Sequence, residues 1–154
     1  MVKHVEKTKR DRVYVGASQI AVYRELAGIG VDRSNKGKGI EQPAFEDLKN
    51  VFMIAVCLGC RAGRKAELSD KKELTRTSYF SDEEIDTLRA IAIASTTDLE
   101  VLDDNDSLFQ IAEGFANTGF EELKRKTLGP GRPLLNLTSL LLEYYDELYP
   151  IAKT

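Results

Sequence analysis

Phe45-Glu46-Asp47-Leu48-Lys49-Asn50-Val51-Phe52-Met53-Ile54-Ala55-Val56-Cys57-Leu58-Gly59-Cys60-Arg61 is the stretch that decides the fold. Phe45, Leu48, Phe52, Ala55 and Gly59 recur at helical spacing, while Val51, Ile54, Cys57 and Leu58 fill the other sides. A helix that is apolar nearly all round is one enclosed by neighbours. The stretch therefore predicts a central buried helix over residues 44–61. Gly63 stands where a terminating residue belongs, and Gly59 is placed to admit another helix at close range.

Outward from this rod the remaining segments read as further helices. Upstream, Val13-Tyr14-Val15 is a short extended patch, and Ser18 is a candidate cap for a helix carrying Ile20, Tyr23 and Leu26. Downstream, residues 64–80 form a basic connection. Ser81-Asp82-Glu83-Glu84 is a capping box opening a helix with Ile85, Leu88, Ile91 and Ala92 on its buried side. Thr97 with Glu100 suits one short turn. Ser107-Leu108-Phe109-Gln110 repeats the capping pattern before Ile111, Ala112 and Phe115. Asn117-Thr118-Gly119 is expected to interrupt that helix. Glu121 with Arg125 and Glu122 with Lys126 are expected i,i+4 ion pairs. Gly129-Pro130-Gly131-Arg132-Pro133 breaks the chain before a last helix over residues 134–149. No alternating strand run stands out. The expected architecture is all-α, a compact bundle of five to six helices around the central buried helix.

The composition agrees with a single packed unit. The chain has 154 residues, of which 42% are hydrophobic and 31% charged, which excludes a disordered tail. The longest apolar run, residues 51–58, falls far short of the roughly 20 residues that span a bilayer. Residues 1–12 are charged throughout and read as a disordered basic leader ahead of one helical domain over residues 13–154, with no secretory signal. Two cysteines make no disulfide scaffold, and a cytoplasmic location is the expectation. The charge is divided. Residues 1–77 carry 16 Lys/Arg and 10 Asp/Glu, a net of +6; residues 78–154 carry 6 and 15, a net of −9.

The candidate chemical motifs fall short one by one. Cys57-Leu58-Gly59-Cys60 lacks the second pair that a zinc site needs, and it sits at a helix C-terminus, where the dipole opposes a thiolate. The two cysteines are expected to pack in the core. Around Gly37-Lys38 a phosphate loop would need glycine where Asp32 stands and Ser or Thr where Gly39 stands. Arg33, Lys36 and Lys38 remain there as basic loop residues. Asp103, Asp104 and Asp106 lack calcium-loop spacing. Glu113, in an apolar helix, is expected to pair with a basic neighbour. No nucleophile, acid–base pair, metal or cofactor site can be assembled, so the expectation is a protein that is not an enzyme, with no cofactor.

Two surfaces remain. The first is the basic segment, with Arg61, Arg64, Lys65, Lys71 and Lys72 as candidate nucleic-acid contacts. The second is the broad Leu/Tyr face of the last helix, with Leu137, Leu141, Tyr144 and Leu148 as a candidate homodimer interface.

Phe45 to Ala55 running into Leu58-Gly59, Arg61, Gly63, Arg64 and Lys65 resembles a pattern of the Dnd system-associated protein 4 family, small proteins encoded beside DNA phosphorothioation genes. Ile111-Ala112-Glu113-Gly114-Phe115-Ala116-Asn117-Thr118-Gly119-Phe120 resembles that family's EYANGG segment, with Phe115 in place of its tyrosine and Thr118 in place of its first glycine. Neither segment carries catalytic chemistry. The resemblance implies a non-enzymatic accessory protein of a phosphorothioation-linked modification or restriction defence system. Its basic half would contact DNA or a DNA-handling partner among the other defence-system proteins. The alternative is an oligomerisation or protein-interaction module with no nucleic-acid contact.

Overall fold

A computed structural model describes residues 10–29, 45–128 and 132–150. The central helix forms as the periodicity predicts. It is α2, Leu48–Ala62, opened by Asp47, whose carboxylate accepts the Asn50 amide at 3.0 Å. It is closed by Gly63 at φ 66°, a left-handed conformation that costs glycine little. Val51, Phe52, Ala55, Val56, Leu58 and Gly59 are buried.

Around it stand α1 (Ile20–Leu26), α3 (Asp82–Thr96), α4 (Asn105–Thr127) and α5 (Pro133–Leu148). Single 3-10 turns occupy Thr77–Tyr79 and Leu99–Asp103. The described residues are thus mostly helical, with α2 against α4 the largest interface. The close approach expected at Gly59 is made by α4. A methyl group on Gly59 would run into the Phe115 carbonyl, and one on Gly119 into the Ala55 carbonyl. Tyr23 of α1 stacks on Phe120 of α4 with ring centroids 4.1 Å apart, and Phe80 meets both Phe52 and Phe109 edge to face.

The capping box forms at α3: the Ser81 hydroxyl accepts the Glu84 amide, and Glu84 accepts the Ser81 amide. At α4 the expected cap moves. Asp104, not Ser107, accepts the first amides, and the Ser107 hydroxyl donates to Asp104 at 2.8 Å. α1 begins after Gln19, without a side-chain cap from Ser18.

Three further expectations are corrected. Strands do form: β1 (Arg12–Gly16) pairs antiparallel with β2 (Lys71–Arg76), inside the stretch read as a connection. The register slips between Val13 and Tyr14, leaving Leu74 without a strand partner, and Leu74 is buried. Second, α4 runs unbroken through Asn117-Thr118-Gly119. Third, the expected leader boundary at residue 12 falls inside the fold: Arg12 opens β1, and the Arg10 side chain is 9% exposed. Residues 1–9, and the loop cations Arg33, Lys36 and Lys38, lie outside the described residues.

Candidate nucleic-acid interface

Residues 64–70 leave α2 at Gly63 and cross the surface of α4 before entering β2. The segment is fastened to the stretch that breaks the helical pattern in the sequence. The Thr118 hydroxyl donates to the Arg64 carbonyl at 2.5 Å, and the Ala66 amide donates to the Gly114 carbonyl at 3.2 Å. The Asn117 side-chain amide donates to the Ala66 carbonyl at 3.2 Å and the Glu67 carbonyl at 3.4 Å. Gly114 is glycine for lack of room, since a methyl group there would lie 2.6 Å from Lys65 Cγ. Polar and small residues at these positions therefore hold a strap across α4 rather than end the helix.

Beneath the strap, Glu113 is 3% exposed. Its Oε2 accepts Arg10 Nη1 at 2.6 Å and the Tyr14 amide at 2.7 Å. Burial pushes the Glu113 carboxyl above its ordinary value, against the opposing pull of Arg10, the Tyr14 amide and Lys71. Arg10 also reaches Asp106 at 2.8 Å. The expected pairing of Glu113 with a basic neighbour is present, and the neighbour comes from the far end of the sequence.

Two open clefts flank the strap. The larger, about 580 Å³, is lined by Ala62, Arg64, Thr118, Gly119, Glu121, Glu122, Lys124 and Arg125. The smaller, about 330 Å³, includes Lys65, Lys71, Gln110 and Glu113. The five candidate cations are thus divided. Arg64 faces the first cleft; Lys65 and Lys71 face the second; Lys72 is exposed on β2 opposite Val15. Arg61 is drawn away to α5, where its guanidinium lies 3.9 Å from the Tyr144 ring centroid and pairs with Glu147. Among the described residues, none of Arg64, Lys65, Lys71 and Lys72 makes an ion pair within 4 Å.

The fold adds two cations that sequence proximity disguised. Lys124 and Arg125 line the larger cleft, and neither expected i,i+4 pair, Glu121 with Arg125 or Glu122 with Lys126, forms. The acids are taken by distant donors. Glu121 accepts Gln19 Nε2 at 3.2 Å, and Glu122 accepts the Tyr144 hydroxyl at 2.6 Å.

Cys57 departs from expectation, because it is exposed, whereas Cys60 is half-buried against the core. Surrounding atoms and the neighbouring Cys60 push the Cys57 thiol upward. Among the described residues, no three His, Cys, Asp or Glu side chains converge to hold a metal ion.

The candidate interface on α5 is also redrawn. Leu137 is buried in the chain's own core, and Tyr144 is held between Arg61 and Glu122. Leu141 and Leu148 are exposed, together with Leu134, Leu135, Leu142, Tyr145 and Tyr149. Among the described residues, no helix is long and apolar enough to cross a membrane.

Fold and surface together define a small, mostly helical protein built on one close helix crossing, with a cation-bearing strap tied over it. The family model for DNA sulphur modification system-associated protein 4 matches residues 31–148, and the chain belongs to that family. The matched span contains both segments on which the resemblance rests. No curated protein and no solved structure matches the chain. The family description ties the protein to a DNA sulphur modification system.

Proposed function

We propose that the protein is a non-enzymatic accessory component of a DNA sulphur modification system, which contacts the DNA backbone through the strap and the last turn of α4. One observation carries this reading. In the larger cleft both carboxylates are engaged by internal donors, while Arg64, Lys124 and Arg125 have no ion-pair partner among the described residues. Unpaired cations on a rigidly tied segment suit a phosphate backbone, whose neutralisation releases counterions. Lys65 and Lys71, in the cleft on the other flank of the strap, and Lys72 on β2 are further candidate contacts.

Titration of a fluorescent DNA duplex at several salt concentrations tests it. Wild-type affinity should fall steeply with salt, and the triple variant Arg64→Ala, Lys124→Ala, Arg125→Ala should flatten the log–log slope by roughly 2 to 3. Arg61→Ala should leave the slope unchanged, since Arg61 is spent on α5. Absence of binding at low salt, or a triple variant with the wild-type slope, rejects the DNA contact.

A second reading, assembly with other proteins of the system or with itself and no nucleic-acid contact, is favoured by the outward face of α5. Seven large apolar side chains stand exposed there.

A further inference from the structure

We propose that α5 pairs antiparallel with α5 of a second copy of this chain across a two-fold axis between Leu141 and Leu142. The inference rests on the second reading above and names the occupant of that surface.

The helix is apolar over more of its circumference than its own fold covers. Leu137 and Leu140 face inward, with Tyr144 half-buried beside them. At 100° per residue, the exposed apolar side chains form a continuous stripe about 140° wide next to that buried side. Their exposures run from 41% to 70%. At roughly 170 Å² for a whole large side chain, the stripe leaves on the order of 700 Å² uncovered. The largest patch on an ordinary monomer is about 300–600 Å², whereas each side of a stable interface contributes about 800 Å².

The stripe is complementary to itself. About an axis between Leu141 and Leu142, Leu134 comes opposite the partner's Tyr149, Leu135 opposite the partner's Leu148, and Leu141 opposite the partner's Leu142. Tyr145, the bulky residue near the middle, comes opposite the partner's Thr138, the small one. The Thr138 hydroxyl already donates to the Leu134 carbonyl at 2.9 Å, so covering it strands no donor. Tyr145 and Tyr149 are preassembled, with ring centroids 5.0 Å apart.

Charge sets the direction. α5 carries Glu143, Asp146 and Glu147 in its C-terminal half and no Lys or Arg. Of these, Asp146 borders the stripe, and parallel pairing would bring it alongside its own copy. Antiparallel pairing places Asp146 beside the uncharged half of the other helix, about 13 Å along the axis from the partner's Asp146. That exceeds the Debye length of about 8–10 Å at physiological salt. An anionic lipid surface is a poor occupant for the same reason, since membrane-surface helices carry Lys and Arg on the polar face.

Sedimentation equilibrium of the full chain tests the pairing, with circular dichroism as the control for folding. Wild type should be dimeric at tens of micromolar, and Leu142→Glu should be monomeric. Thr138→Tyr, which fills the gap facing Tyr145, should weaken the dimer about tenfold or more. Both positions are exposed, so each variant should fold. A monomeric wild type overturns the proposal. So does a dimer that survives Leu142→Glu, and so does one that Leu142→Glu dissolves but Thr138→Tyr leaves intact, since the register is then wrong. A monomer that joins another protein of the system only while Leu142 is present also overturns self-pairing, and leaves the assembly reading standing.

Discussion

Arg10 Nη1 lies 2.6 Å from Glu113 Oε2, and the Tyr14 amide donates to the same oxygen at 2.7 Å. A residue that the sequence places in a polar leader thereby secures the buried carboxylate of α4. Removing one partner of such a pair leaves an uncompensated charge. Arg10→Ala should cost about 2–3 kcal/mol and Glu113→Ala about 3 kcal/mol, read as a lowered denaturation midpoint with an unchanged slope.

The pH dependence of the same pair has a definite sign. Burial raises Glu113 above 4.5 in the folded chain, so the folded state binds more protons than the unfolded one just above that pH. Stability then falls as pH rises from 4.5 toward the raised value. Without Arg10 the window extends further upward. The Arg10→Ala variant should therefore lose less stability at pH 4 than at pH 7. An equal loss at both would mean that the guanidinium does not stabilise the carboxylate charge.

The α2–α4 crossing is set by absent side chains. A methyl group on Gly59 meets the Phe115 carbonyl and one on Gly119 meets the Ala55 carbonyl, both backbone atoms that cannot swing aside. Gly59→Ala and Gly119→Ala should each destabilise by about 3 kcal/mol or more, although alanine is the better helix former. Gly63→Ala meets no atom within 4 Å and suffers only its φ of 66°, for about 1 kcal/mol. Thermal unfolding of the three variants should separate them in that order.

The periodic segments were legible because burial on one helix face leaves a period of 3.6. What escaped the sequence depended on partners distant in the chain. β2 reads Lys-Lys-Glu-Leu-Thr-Arg and buries only Leu74, so no alternation marks it. Asn117 and Thr118 look like helix breakers until the strap arrives to take their hydrogen bonds. Arg125 looked neutralised by Glu121 and Lys126 by Glu122, acids that Gln19 and Tyr144 engage instead. On α5 the sequence showed a broad Leu/Tyr face but could not show which arc of it the core would take.

Tyrosine titration checks the tie between α4 and α5. Burial, followed by the bond to Glu122, pushes Tyr144 up to about 12, with Arg61 opposing. Burial alone carries Tyr23 beyond the accessible range. Alkaline absorbance should show Tyr144 ionising late and Tyr23 released only on unfolding. Glu122→Gln should bring the Tyr144 transition down, and Tyr144→Phe should remove it at a cost of about 1 kcal/mol.

The exposed end of α2 gives the last prediction. Cys57 reaches solvent, yet its thiolate is disfavoured first by desolvation and then by Cys60. Its position in the last turns of the helix adds the negative end of the dipole. A disulfide reagent should therefore modify Cys57 in the folded chain more slowly than free cysteine at pH 8. The rate should climb about tenfold per pH unit to beyond 9.0, the ordinary thiol value. Cys57→Ser should abolish that reaction and change stability by no more than about 0.5 kcal/mol, as at other exposed sites. Modification that waits for unfolding would place this face of α2 under cover.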